Sequence, residues 1–489
     1  MTTILAIDQG TTSTRAIAFT VNGQAEVIAQ IRHQQNHPAP RHVEQDGAEL
    51  LANIRAVIAE ARDRLGAIDA IGLCNQGESC LAWDAQTGLP LSPVITWQDS
   101  RTGPRLQVLA DRGHADLIRA RSGLPLDPYF SASKLGWLME QPQVQAAHAA
   151  GRLRLGTTDA FFLDRLTSCF ATDPSTASRT GLMALADLAW DPELCALFGV
   201  PFDALPPIRP TSGDFGQLDG IPILASIVDQ QAALFGHGCR APGEMKITFG
   251  TGAFALALTG TMPPDPPEGL LPTVAWSQVD CVEGNAVYAL DGGVYDAGSA
   301  IDWALRAGIA RDHGDFDDFD RAPAIDRGLV FVPAFSGLAA PHWDRSAAPL
   351  ILGFDTGSDG GDLCQALLEG IALLTAEAVD LIARHDIDRP GTQLCPQISI
   401  DGGLSRSRYF CRFLATVTRR TIVTHAFDEL SAFGAAGLAA RALGTGLQHP
   451  GGAQRQSHGP IPDVTAAQVM AWRHRFREAT ERARGWRQP

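Results

Sequence analysis

The chain has 489 residues, more than one hydrophobic core usually supports, so two domains with a cleft between them are expected. With 45% hydrophobic and 19% charged residues it has the composition of a soluble globular protein, and its formal charge of -15 excludes a nucleic-acid or anionic-membrane surface. The nine cysteines show no C-x-x-C pair and no Cys/His cluster at zinc spacing, which excludes a disulfide framework and a structural zinc site.

Met1 leads directly into a strand, with no charged leader or apolar h-region and no run of bilayer-spanning length anywhere, so the expected location is the cytoplasm. Ile4 to Ile7 and Ala16 to Phe19 are short apolar runs flanking a polar turn, which predicts a hairpin with a hydroxyl-rich tip. A third strand is expected near Glu26 to Ile31. A helix is expected from Ala48 to Leu65, with Leu50, Ile54, Val57, Ile58 and Ala61 on one face. Strand "AIGLCNQ" follows at Ala70, and the alternation of strands and helices from there predicts an α/β fold with ligands at the carboxyl ends of strands.

Ile223 to Val228 reads as a strand that ends on Asp229, where a helix begins. "EMKITFGTGAFALAL" then repeats the opening theme of strand, polar turn and strand. Gly and Pro cluster in "GHGCRAPGE", which divides the chain into expected domains 1–240 and 241–489. The second half continues with a helix from Ala297, a long helix from Leu363 to Ile382, strand "QISI", the turn at Asp401, a helix through Leu414 and another from Ser431. An amphipathic helix from Val464 to Trp486 closes it.

Backbone N–H groups of a tight turn, with hydroxyl side chains beside them, surround phosphate oxygens well, so the tip 10–14 reads as a phosphate clamp. On its own the segment is read slightly better as a solvated Thr-rich turn. An Asp next to phosphate needs a cation between them, and Mg²⁺ near Asp8 satisfies that requirement. Gly250-Thr251-Gly252 has the same chemistry, and Gly402 and Gly403 allow a planar ring to approach the backbone. The P-loop pattern G-x-x-x-x-G-K-[ST] is absent. Lysine occurs only at Lys134 and Lys246, which reads as compositional bias.

In chain order, "AIDQGTTSTRAI", "WQDSRT", "LPLDPYFSASKLGW", "TDPSTASRTGL", "DQQAALFG", "FGTGAF", "PAFSGLAAPHWD" and "DGGLSRSRYF" resemble segments of the FGGY carbohydrate kinase family, nearest to its glycerol kinases. The resemblance implies two actin-like, ribonuclease H-like ATPase domains around a central cleft. It also implies ATP and Mg²⁺ as cofactors and a small polyol or sugar as substrate. It makes Asp229 the general base toward a primary hydroxyl, and gives Asp8 and Asp229 to the metal. Thr11, Thr12, Ser13 and Arg15 match the phosphate side, while Thr251, Gly298, Asp302, Gly403 and Ser407 match the nucleotide side. For Gly298 and Gly403, close packing and a turn are equally good readings. At Asp302 and Ser407 the residue type departs from that of the relatives.

Glu78, Trp97, Tyr129, Asp229, Gln230 and Phe254 match substrate positions, and Gly77 stands where glycerol kinases carry an Arg donor. A glycine supplies no donor and vacates volume, so the expected substrate is glycerol or, to fill the space, a somewhat longer polyol such as a tetritol or a short sugar. The alternatives are a ketose kinase of the xylulose type and a non-catalytic, nucleotide-gated binding protein. The short acidic "SGDFGQLDGIP" lacks the basic loop that receives a sugar bisphosphate in regulated relatives, so that control is expected to be absent. A homo-oligomer is open, because no interface is legible.

Overall fold

A computed structural model describes residues 2–265, 268–277, 286–387, 395–450 and 455–487. Strands Thr3–Gln9, Ser13–Thr20 and Ala25–Arg32 form an antiparallel meander, because short apolar runs are broken by short polar turns. Strands Ala70–Asn75 and Ile221–Val228 add in parallel beside the first, and Gln217–Leu218 closes that edge. Helix Gly47–Leu65 starts at Asp46, whose carboxylate accepts from the Ala48 N–H at 2.8 Å, and its expected apolar face is buried.

The second sheet repeats this plan. Strands Met245–Phe249, Ala253–Gly260 and Ala286–Val294 form a meander extended by Leu271–Ser277, with Gln397–Gly402 and Thr421–His425 parallel on the other flank. Arg455–His458 closes the edge antiparallel. In both sheets the first hairpin turns at the end of the central strand, so tips 10–12 and 250–252 occupy equivalent places. The expected boundary near residue 241 lies in the loop between helix Asp229–Gly236 and strand Met245–Phe249.

The two halves exchange helices across their contact. Leu430–Ala442, from the second half, packs on strands Ala70–Asn75, Ile221–Val228 and Thr3–Gln9, while Asp229–Gly236, from the first, packs on the second sheet. Residues of both sheets and both helices share one apolar core there, including Ala6, Cys74, Leu256, Leu234 and Ala435. In the second half the long helix extends beyond its expected bounds, to Gly360–Ile387, whereas the last helix is shorter than expected, at Ala466–Ala483. The segment between the first meander and Asp229 holds what the alternation did not reveal. It contains a small sheet of Glu44–Gln45, Val94–Ile95, Cys80–Asp84 and Leu153–Thr157, and several short helices.

The exchanged helices cross where glycine removes the side chains. A Cβ on Gly434 would lie 1.8 Å from the Ala232 carbonyl oxygen, and one on Gly236 would lie 2.0 Å from that of Leu430. Gly434→Ala is therefore expected to lower stability by about 3 kcal/mol through overpacking. Thermal unfolding monitored by circular dichroism measures it, and an unchanged melting temperature would contradict the close crossing.

Candidate active site

Asp229 is the first residue of its helix, directly beyond strand Ile221–Val228. Parallel strands deliver their last residues to one edge of a sheet, and the two hairpin tips rise at the same edge. A cavity of about 180 Å³ forms between them. Its walls include Thr11 of the first tip, Thr251 of the second, and Asp229. Gly77, Glu78, Trp97, Tyr129, Gln230 and Phe254 line it as well, so all the residues assigned to substrate by resemblance converge on one space.

The first tip is braced from below. The Thr11 carbonyl accepts from Gln45 Nε2 at 2.7 Å and from the His33 ring at 3.1 Å, and Trp97 Nε1 donates to Thr11 Oγ1 at 3.1 Å. Trp97 and Tyr129 meet edge to face with ring centroids 5.8 Å apart. Glu78 has a left-handed backbone with φ 55°, a conformation that bulky residues avoid unless their surroundings impose it.

Electrostatics separate the carboxylates. Asp8 Oδ2 accepts from Arg15 Nη2 at 2.6 Å, and Arg15 Nη1 reaches Glu429 at 2.6 Å. Glu78 Oε1 accepts from Arg179 Nε at 2.6 Å, and Arg179 Nη2 lies 3.0 Å from Asp291 Oδ2. Asp229 has no ion-pair partner among the described residues. Its Oδ1 accepts only the Gln230 N–H, at 2.7 Å. Burial, with the nearby charges of Glu78 and Asp8, pushes its carboxyl up to about 7, while Lys246 and the Gln230 N–H oppose the shift. Asp229 does not cap its helix, since Val228 occupies the cap position without a side-chain bond.

The remaining expected positions divide. Thr12 is exposed at the tip, and Ser13 Oγ accepts from Gln30. Arg15 is occupied by Asp8 and Glu429 rather than presented toward an open space. Gly298 packs against the second tip, where a Cβ would come within 2.5 Å of the Gly250 carbonyl oxygen, so the packing reading describes it. Asp302 is exposed on the following turn, and Gly403 faces open space. Gly402 departs from expectation: its missing Cβ makes room for the Phe249 carbonyl oxygen, which a Cβ there would meet at 2.1 Å, and not for a ring. Ser407 also departs, because its hydroxyl donates to the Phe316 carbonyl and caps the next helix through the Phe410 N–H, which takes the side chain out of the expected nucleotide contact.

Among the described residues no group of three His, Cys, Asp or Glu could hold a metal by itself. Mg²⁺ bound with a nucleotide takes only one or two carboxylates, with water and phosphate filling the rest. Asp8 and Asp229 stand close enough for the charge of one to raise the other, and this pair fits such an ion.

Four wall residues were not singled out from the sequence: Arg179, Val228, Gln231 and Asp291. Lys246 lies just behind them. It is fully buried, with Nζ donating to Gln230 Oε1 at 2.5 Å and to Thr248 Oγ1 at 3.0 Å. The other lysine, Lys134, is also fully buried and holds the Thr96 and Tyr129 carbonyls at 3.0 and 2.9 Å. The rarity of lysine was the available signal. Both positions where this Arg-rich chain keeps Lys are tied to the walls of this cavity. Val228 corrects a second expectation, that Gly77 vacates space: a Cβ at residue 77 would meet Val228 Cγ2 at 2.9 Å.

Residues 3–236 match the model of the N-terminal domain of the FGGY family of carbohydrate kinases, and residues 245–443 match that of its C-terminal domain. Over 99% of both chains the sequence is 40% identical to a glycerol kinase of Thermus brockianus, and at the same coverage 38% identical to one of Acaryochloris marina. The fold superposes on that of Plasmodium falciparum glycerol kinase with ADP at a TM-score of 0.87 and 28% identity, covering 99% of this chain and 98% of that one. It also superposes on a ligand-bound xylulose kinase of Lactobacillus acidophilus at 0.84 and 21% identity, covering 98% and 97%.

The contact beside Gly77 yields a test. Gly77→Arg alone is expected to destabilise the protein by roughly 1–3 kcal/mol through overpacking against Val228, and adding Val228→Gly to recover most of it. Melting temperatures of the two variants check this, and equal losses in both would show that Val228 is not the obstacle.

Proposed function

The chain belongs to the FGGY family of carbohydrate kinases, and on that premise we propose that it transfers the γ-phosphate of ATP to a primary hydroxyl of a small neutral polyol, either glycerol or a somewhat longer one such as a tetritol. One observation carries the reading: Asp229, among the described residues the only carboxylate on the cavity wall without a cationic partner, shares that cavity with a threonine from each hairpin tip.

In this mechanism Asp229 accepts the hydroxyl proton while the alcohol oxygen bonds to the γ-phosphorus and the bond to the bridging oxygen of the nucleoside diphosphate breaks. A carboxyl poised at about 7 is well matched to taking that proton near neutral pH. Lys246 holds the Gln230 side chain, which orients a substrate hydroxyl together with Glu78. Trp97 and Phe254 cover the carbon chain and keep water out. The hydroxyls and N–H groups at the tips around Thr11, Thr12 and Thr251 receive phosphate oxygens, where such positioning supplies most of the rate. Mg²⁺, held by Asp8 and Asp229 through water and phosphate, would neutralise charge on the transferred group.

A ketose of five carbons is the second reading. The inner cavity opens into a larger one of about 570 Å³, which leaves room for a longer substrate. An ATP-consumption screen over glycerol, tetritols, pentitols and ketoses, with product analysis, decides between them. Turnover of none of these would overturn the proposal.

Asp229→Asn is expected to reduce kcat roughly a hundred- to ten-thousandfold. Because the base works only when ionised, kcat/KM should rise with pH up to about 7 and level off above it. A pH profile flat from 5 to 8, about two units below and one above that value, would remove Asp229 from the role. Chelation of divalent ions should abolish turnover and added Mg²⁺ restore it, whereas full activity in EDTA would exclude the metal.

A further inference from the structure

Between the inner cavity and the outer one stands a shared wall of Trp97, Tyr129, Arg179, Thr251, Phe254 and Asp291. Arg179 is the cation in that wall. It is only 4% exposed, it lies over the rings of Tyr129 and Phe130, and two of its three nitrogens are engaged, Nε by Glu78 and Nη2 by Asp291. The third, Nη1, is buried and has no partner among the described residues. A guanidinium can only donate, and a buried donor without an acceptor is costly enough that native proteins rarely keep one without a ligand to complete it.

The floor of the site sharpens the point. Gly77 offers no side-chain donor there, and Val228 closes the space beside it. The guanidinium donor stands at the junction with the outer cavity. The two flanking carboxylates offset the single guanidinium charge, so the oxygen that completes Nη1 is neutral and not anionic.

We propose that Arg179 is a specificity-determining residue whose Nη1 donates to a hydroxyl or ketone oxygen on a substrate carbon remote from the phosphorylated one, at the opening into the outer cavity. The inference rests on the kinase reading above and narrows its substrate to neutral polyols or ketoses longer than glycerol, with the distal end in the outer cavity. Asp291 is the positioning residue. It belongs to strand Ala286–Val294 of the second sheet, whereas Arg179 and Glu78 belong to the first half, so the guanidinium is set only when both halves are in place.

Steady-state kinetics of the full chain on glycerol, tetritols, pentitols, ketoses and an aldonate, with Arg179→Gln, Arg179→Lys and Asp291→Asn, test it. The wild type should favour a longer neutral substrate over both glycerol and the aldonate. In Arg179→Gln the ratio of kcat/KM for that substrate to kcat/KM for glycerol should fall by at least about tenfold, chiefly through KM, with partial recovery in Arg179→Lys. Asp291→Asn should lower the same ratio in the same direction, an effect that a general loss of stability would not produce. A wild type that prefers glycerol or the aldonate, or a ratio unchanged in Arg179→Gln, overturns the inference. Should the Gln variant not fold, an unchanged ratio in Asp291→Asn overturns it instead. If the wild type phosphorylates no alcohol at all, the kinase reading falls with it; if it phosphorylates several with a preference indifferent to Arg179, only this inference falls.

Discussion

The crossing of helices Asp229–Gly236 and Leu430–Ala442 sets the geometry on which the site depends. With glycine at 236 and 434, each helix backbone rests on the carbonyl oxygens of the other, and no side chain can adjust the spacing. A third such contact presses Gly72, in the middle of the first sheet, against the Ala435 carbonyl. One helix begins with Asp229. The other begins just after Glu429, whose carboxylate holds Arg15, which in turn holds Asp8. The same close approach therefore positions the unpaired carboxylate on one side and braces the first hairpin on the other.

Charge follows from that geometry. Asp8, Glu78, Asp229 and Asp291 gather around one small space in a chain that is already acidic. Buried carboxylates repel one another unless cations intervene, and Arg15 and Arg179 intervene for three of the four. Asp229 is left with a backbone N–H and the more distant Lys246, so burial and the charges of Glu78 and Asp8 raise its proton affinity with no direct ion pair to oppose them. The pairing pattern, more than the number of acids, distinguishes a base from structural carboxylates.

Both halves use one sheet plan, yet they contribute differently. The first supplies Glu78, Trp97, Tyr129 and Arg179 from segments inserted between its parallel strands, and the second supplies Thr251, Phe254 and Asp291 from its meander. Exchange of the two central helices joins these contributions through a common core, so movement of one half against the other alters the cavity directly.

Much of this was legible locally. Short apolar runs around polar turns marked both hairpins, and the passage of an apolar strand into a helix marked Asp229, because each signal is carried by adjacent residues. The two lysines were read as compositional bias, because scarcity of one residue type is a weaker signal than a motif. The small sheet of the first half was not legible, since strands as short as Val94–Ile95 carry too little pattern. By itself, then, the sequence determined the strands, the polar tips and the carboxylate between them. Tertiary structure alone decided that Val228 fills the space beside Gly77, that Ser407 caps a helix, and that Arg179 is clamped between Glu78 and Asp291. Those contacts join residues far apart in the chain, and local periodicity carries no information about which distant side chain will occupy a given space.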